Sequence, residues 1–154
     1  MSKKMGIAGM LAAGFVLLGS LSASAGAVDQ VNGQGQTPLG ASIGFNADAS
    51  LAGQLTYNSD PNGATPDFWA QCDSFTNVTY GYNKAGFPIA RAWATCTDKD
   101  GDTVYLRAAF VDRGEPGVDD SVCIVWSYDP STKEATSYIH EHGKISNGNI
   151  QIHI

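Results

Sequence analysis

All three histidines of this chain fall within its last fifteen residues, at His140, His142 and His153. Positions two apart on a strand share a face, so His140 and His142 project together. A tight turn at Asn147-Gly148 would set His142 opposite His153. Three imidazoles on one face of one hairpin is a geometry that zinc or copper accepts, with a fourth position open to water. The same face carries Lys144 and Gln151, which reads equally as a solvated surface. Glu141 points the other way, so no carboxylate is at hand to orient the rings.

Two acidic loops raise the chemistry of calcium, which takes oxygen ligands. Asp98-Lys99-Asp100-Gly101-Asp102 resembles the start of a calcium loop, but Thr103 and Ala109 stand where such a loop needs Gly and a bidentate Glu. It reads as a hairpin turn instead. Asp112, Glu115, Asp119 and Asp120 put four carboxylates within nine residues, closed by Pro116-Gly117. That density suits a weak extracellular calcium site. The structural alternative is that Asp112 and Asp119 accept backbone N–H bonds and fix the turn.

For enzymes the chain offers little. It holds no His-Glu-x-x-His and no phosphate-cradling loop in its mature part. The reading leans away from catalysis, and no cofactor is expected beyond the two metal candidates. Cys123, in Val122-Cys123-Ile124-Val125, reads as a buried thiol rather than a nucleophile. Trp69, Trp93 and Trp126 would line an interior cavity if there were one, although strand aromatics usually fill cores.

The elements that must position these residues are strands. Apolar residues nowhere recur at three and four for more than two turns, so no long amphipathic helix is expected. Short runs rich in β-branched and aromatic residues alternate with turn clusters, and eight emerge: 40–47, 52–58, 74–82, 88–97, 103–112, 120–128, 134–142 and 148–154. Asn83 to Gly86 reads as a four-residue hairpin loop, and Asp100-Gly101 and Asn147-Gly148 as tight hairpin turns. Pro116-Gly117 and Asp129-Pro130-Ser131 are also turn chemistry. Successive hairpins imply an all-β, antiparallel up-and-down meander of eight strands, barrel-like because closure removes exposed edges. A two-sheet sandwich is the alternative.

The disulfide follows from that order. Cys96 and Cys123 lie on strands flanking 103–112, about 10 Å apart, beyond the reach of a bridge. Cys72 and Cys96 sit at the outer ends of one hairpin, one residue out of register, so Cys72–Cys96 requires a bulge or an irregular approach near Cys72. Cys123 is left free.

Several segments together resemble a known family. Phe110-Val111-Asp112-Arg113-Gly114-Glu115-Pro116-Gly117, then Asp119 or Asp120, and finally Gly148-Asn149-Ile150-Gln151-Ile152-His153 resemble bacterial secreted β-domains of the post-COAP type. Upstream, Gly33-x-Gly35, Ile43 to Ala47 and Gly53 to Tyr57 look like the opening hairpin of that family, so the resemblance covers most of 33–154. It implies a secreted bacterial β-domain, found alone or appended to larger surface proteins, with no catalytic chemistry to carry over. The cysteines and Trp69-Ala70-Gln71-Cys72 fall outside the pattern.

The N-terminus agrees with export. Lys3 and Lys4 precede fourteen apolar or glycine positions, Gly6 to Gly19, and Ala23-Ser24-Ala25 is a small-x-small cleavage pattern. This reads as a signal peptide over 1–25, too short for a comfortable membrane span. A flexible lead-in follows over 26–39, then a single domain over 40–154. Without Lys3 and Lys4 the mature chain keeps seven basic against fifteen acidic side chains, a net charge of −8. Such acidity argues against nucleic acid and anionic membrane as partners. The expected product is secreted, or periplasmic in a Gram-negative cell. Its expected role is non-enzymatic binding of an extracellular or cell-surface component. The alternative is a small barrel enzyme or carrier whose interior takes a small apolar molecule.

Mass spectrometry of exported material checks the processing. The mature protein is expected to begin at Gly26, and a product still carrying Met1 to Leu21 refutes the assignment.

Overall fold

The computed structural model describes residues 28–59, 67–115, 117 and 119–154; the expected signal peptide over 1–25 lies outside them. Ten strands make one antiparallel sheet: β1 (Gln30–Gln36), β2 (Ser42–Asp48), β3 (Ala52–Asn58), β4 (Trp69–Ser74), β5 (Asn77–Tyr82), β6 (Pro88–Asp98), β7 (Thr103–Val111), β8 (Ser121–Ser127), β9 (Ile139–Lys144) and β10 (Ser146–His153). A 3-10 turn, Glu134–Thr136, precedes β9. Among the described residues no helix is long and apolar enough to cross a membrane.

The sheet curls into a nearly closed barrel, in the order β10-β1-β2-β3-β4-β6-β7-β8-β9 with β5 also on β6. One continuous sheet excludes the two-sheet sandwich. Two places in the ring are each shared by two strands. β4 pairs with the C-terminal end of β6, at Ala70 with Asp98 and Gln71 with Thr97, while β5 pairs with the N-terminal half, from Asn77 with Trp93 to Tyr82 with Pro88. β9 and β10 run in one direction, separated by Ile145; β9 pairs with β8 and β10 with β1. The ring therefore has eight positions, filled differently from the sequence expectation.

Two differences matter. The segment read as a flexible lead-in holds β1, paired on both sides. Its inward positions are Val31 followed by Gly33 and Gly35, so the alternation carries almost no apolar signal. Gly33 is needed there, because a Cβ would fall 2.7 Å from the Phe45 ring. Asn147-Gly148 is also not a hairpin turn. It sits at the register shift between Gln34 and Gln36 in the β1–β10 pairing, where Asn147 has φ 51°. Gly148 is pressed against the Gln34 carbonyl and the Gly35 backbone, which leaves no room for a side chain. This bulge lets one strand leave β8 and join β1.

The hairpin loops are shorter than expected at one end and longer at the other. Asn83 and Phe87 close a three-residue loop, with Gly86 at φ 85°, and Asp98 and Asp102 close another, with Gly101 at φ 86°. In each, a side-chain carbonyl or carboxylate of the first residue accepts N–H bonds within the loop, Asn83 from Ala85 and Phe87, Asp98 from Asp100 and Asp102. That local cap favours a three-residue loop over a two-residue turn.

The interior is filled by side chains. Phe45 stacks on Phe110 with centroids 3.9 Å apart, and Tyr57 and Phe68 pack on Trp126 at 5.6 and 5.4 Å. Leu55, Leu106, Ile124 and Ile150 are fully buried among them. Each such side chain contributes about 1.5–3 kcal/mol by leaving water.

Cys72 and Cys96 form the disulfide, with Cα atoms 4.3 Å apart and both side chains in the core. The pair continues the β4–β6 register directly. The irregularity that the sequence demanded lies after Cys72, at Phe75-Thr76. There Phe75 N bonds to Leu51 O and Thr76 N to Trp93 O, and the chain steps from β4 into β5. Cys123 is free.

Titration of the denatured, unreduced protein is expected to find one thiol. The double change Cys72→Ala, Cys96→Ala opens a 24-residue loop and should cost about 3 kcal/mol on the chain-entropy account. Three thiols in the unreduced wild type would refute the bridge.

Candidate functional site

The closing strand leaves part of the β10 edge without a neighbouring strand, and the loop after β7 occupies that edge. Asp120 is fully buried; its Oδ2 accepts Ile150 N at 2.7 Å and its Oδ1 accepts Arg113 N at 2.7 Å. Asp112 Oδ2 accepts Ile152 N at 3.0 Å and its Oδ1 accepts Gly114 N at 2.8 Å. Glu115 Oε1 accepts from Asn149 Nδ2 and Gln151 Nε2, both at 2.8 Å. The Gln151 and Asn149 amides, in that order, hold the Glu115 carboxyl below its usual range. Asp119 pairs with the Lys144 ammonium, which holds its carboxyl low.

The four acids considered as calcium ligands are thus turned towards separate donors rather than a common centre. Among the described residues no group of three or more His, Cys, Asp or Glu is placed to hold a metal ion. The turn-fixing role read for Asp112 and Asp119 belongs to Asp112 and Asp120. Across the barrel, buried Glu141 accepts Tyr57 OH at 2.8 Å and Leu39 N at 3.1 Å, tying β9 to β3 and to the β1–β2 turn. Burial, then the Glu141 charge, pushes the Tyr57 phenol far up.

The histidines are not brought together as a triplet. His140 and His142 share the outer face of β9, with ring centroids 5.9 Å apart. His142 lies opposite Cys123, however, and His153 lies opposite Gln30 at the far end of β10. The expected hairpin between them does not exist, because β9 and β10 are successive parts of one closing strand. The Asp98 loop is likewise structural: Asp98 Oδ2 accepts Tyr128 OH at 2.8 Å, and that bond foremost lowers the Asp98 pKa.

What the sequence reading missed is the outer face of β6 to β9. The register aligns Trp93, Arg107, Val125 and His140 in one row, and Arg91, Ala109, Cys123 and His142 in the next. Long side chains thereby ring two small ones. Arg91, Trp93 and Arg107 border a depression of about 260 Å³ floored by Ala109 and Cys123. It runs on into a second, of about 420 Å³, bordered by Arg113, His142 and Lys144. Arg91, Arg107, Arg113 and Lys144 are four of the seven basic residues in 26–154. Glu134 meets Arg107 at 3.2 Å, and Asp119 meets Lys144. Arg113 lies over the Phe87 ring, 5.3 Å from its centroid. Arg91 is exposed and, among the described residues, has no ion pair. The signal was present as alternation, with Arg91, Trp93 and Arg107 all outward. It became a site only once the registers were known.

The half-buried Cys123 thiol has its pKa pushed up by burial and, more weakly, by Glu134, while Arg107 pulls it back. It therefore stands in the groove floor as the neutral thiol at neutral pH.

Compared with family models, with curated proteins and with solved structures, the chain matches none of them.

Asp120→Ala strands the N–H groups of Arg113 and Ile150 and should cost about 3 kcal/mol in urea unfolding, with Asp120→Asn costing about half. A cost below about 1 kcal/mol for the alanine variant would show that the seam does not depend on it. For Cys123, the alkylation rate should rise with pH only above the ordinary thiol range. Arg107→Ala removes the attraction that lowers this pKa, so the midpoint should move further up.

Proposed function

We propose that this chain is an exported, non-enzymatic binding domain of the bacterial cell surface or extracellular matrix, and that it binds an anionic ligand on the outer β6–β9 face. The observation that carries the reading is the basic, small-floored depression on a chain that is otherwise strongly acidic. Charges of one sign gathered at a concave surface select ligands of the other sign. The packed interior supports the outer face over an interior cavity, since Trp126, Tyr57, Phe110 and Leu55 occupy the space a small apolar molecule would need. The leader-like N-terminus and the motif resemblance to secreted β-domains point to the same compartment.

The test uses fluorescently labelled mature protein and envelope and matrix preparations from the producing bacterium. Binding is expected, weakening as salt rises because the attraction is screened. The double variant Arg91→Glu, Arg107→Glu should bind at least about 10-fold more weakly, as two charge reversals each contribute on the order of a kcal/mol. Equal binding by the variant would overturn the assignment of the face.

A further inference from the structure

We infer that the ligand of this face is an acidic saccharide, with one sugar ring seated on Trp93 and its acidic group held by Arg91 and Arg107. The inference rests on the proposed binding role and names its ligand class. Arg91 and Trp93 are two residues apart on β6 and project from the same side, about 7 Å apart along the strand. Arg107 is directly opposite Trp93 across the β6–β7 pairing, where side-chain roots stand about 5 Å apart. The half-buried indole is thus flanked by two guanidinium groups. An indole face is a flat apolar platform, and a guanidinium presents a planar fork that fits a carboxylate or sulfate. A sugar ring with an exocyclic acid offers both features within one residue.

The floor and length of the groove agree. Ala109 and Cys123 carry no long side chain, so a ring can settle between the taller neighbours. The protonated thiol adds no charge that would repel an anion. From Trp93 on β6 to His142 on β9 the groove crosses three strand intervals and shifts two residues along the strands, about 16 Å at the usual spacings. That length matches about three sugar units, with His142 and Lys144 beside the last.

Charge balance favours a saccharide over a denser polyanion. DNA carries one charge about every 1.7 Å, and binding it requires many cations along an extended track. Here four basic side chains sit on a surface whose net charge is negative, and Arg107 and Lys144 are already partly balanced by Glu134 and Asp119. One negative charge per sugar ring suits that spacing; a continuous phosphate chain would meet the surrounding acids.

The experiment is calorimetry of the mature protein with trigalacturonate, its fully methyl-esterified form, a sulfated trisaccharide and inorganic polyphosphate. Trigalacturonate or the sulfated sugar is expected to bind, and the two arms decide between carboxylate and sulfate. Esterification should weaken trigalacturonate binding at least 10-fold. Trp93→Ala should weaken binding at least 10-fold without changing its salt dependence, whereas Arg91→Gln should weaken binding and also flatten the salt dependence. Arg91 is exposed, so its variant keeps the test sound if Trp93→Ala unfolds. Two results overturn the inference: polyphosphate binding as tightly as either sugar with Trp93 dispensable, or neither acidic sugar binding. If envelope binding then still depends on Arg91 and Arg107, the ligand class is wrong and the binding face stands; if that dependence is absent too, both readings fall.

Discussion

A barrel whose last strand must serve two neighbours has too few backbone partners, and the whole molecule is arranged around that shortage. The stretch from Ile139 to His153 pairs with β8 through its first half and with β1 through its second. Each half leaves one edge without a strand. An unpaired N–H shut away from water costs about as much as a lost hydrogen bond. Here carboxylates take the place of the missing strands. Asp120 and Asp112 accept the N–H groups of Ile150 and Ile152, and Glu141 reaches Leu39 N beyond the other edge. A carboxylate is the apt substitute because each of its two oxygens can accept, so one side chain fixes both its own loop and the strand it faces.

This gives the two most recognisable segments of the chain a joint physical meaning. Asp112-Arg113-Gly114-Glu115 and Asn149-Ile150-Gln151-Ile152 lie far apart in sequence, yet one is the acceptor and the other the donor of a single latch. Of the acidic residues that invite a metal on paper, Asp112, Glu115 and Asp120 accept amide hydrogens at this seam, and Asp119 pairs with Lys144.

With the sheet closed and its interior packed, the proposed recognition falls to the outside. The outer surface of β6 to β9 is where register makes a pattern: large, cationic and aromatic side chains surround alanine and cysteine. That arrangement depends on the seam, because β8 and β9 keep their place beside β7 only while the closing strand is held at both ends. The disulfide secures the opposite flank, where β4 gives way to β5 along β6.

Local alternation, turn residues and cysteine spacing were enough to read an all-β antiparallel barrel and the Cys72–Cys96 bridge, because each depends on neighbours within a hairpin or on distances between adjacent strands, but they gave eight strands where the sheet has ten. The strand at Gln30–Gln36 was illegible, since Gly33 and Gly35 stand at inward positions and the space beside them is taken by other strands, by Phe45 at Gly33 and by Ile145 and Gly148 at Gly35. The continuity of β9 with β10 was equally hidden: Asn147-Gly148 has the composition of a tight turn, and only the approach of Gln34 and Gly35 converts it into a bulge. With that turn gone, the histidine triplet dissolved. The row of Trp93 and Arg107, by contrast, arose from registers that no single strand contains. Sequence alone determined what each strand is, because that depends on the periodicity of its own side chains; tertiary structure decided which strands meet, and with that which side chains form a site, because cross-strand register is set by packing and by carboxylates reaching across the seam.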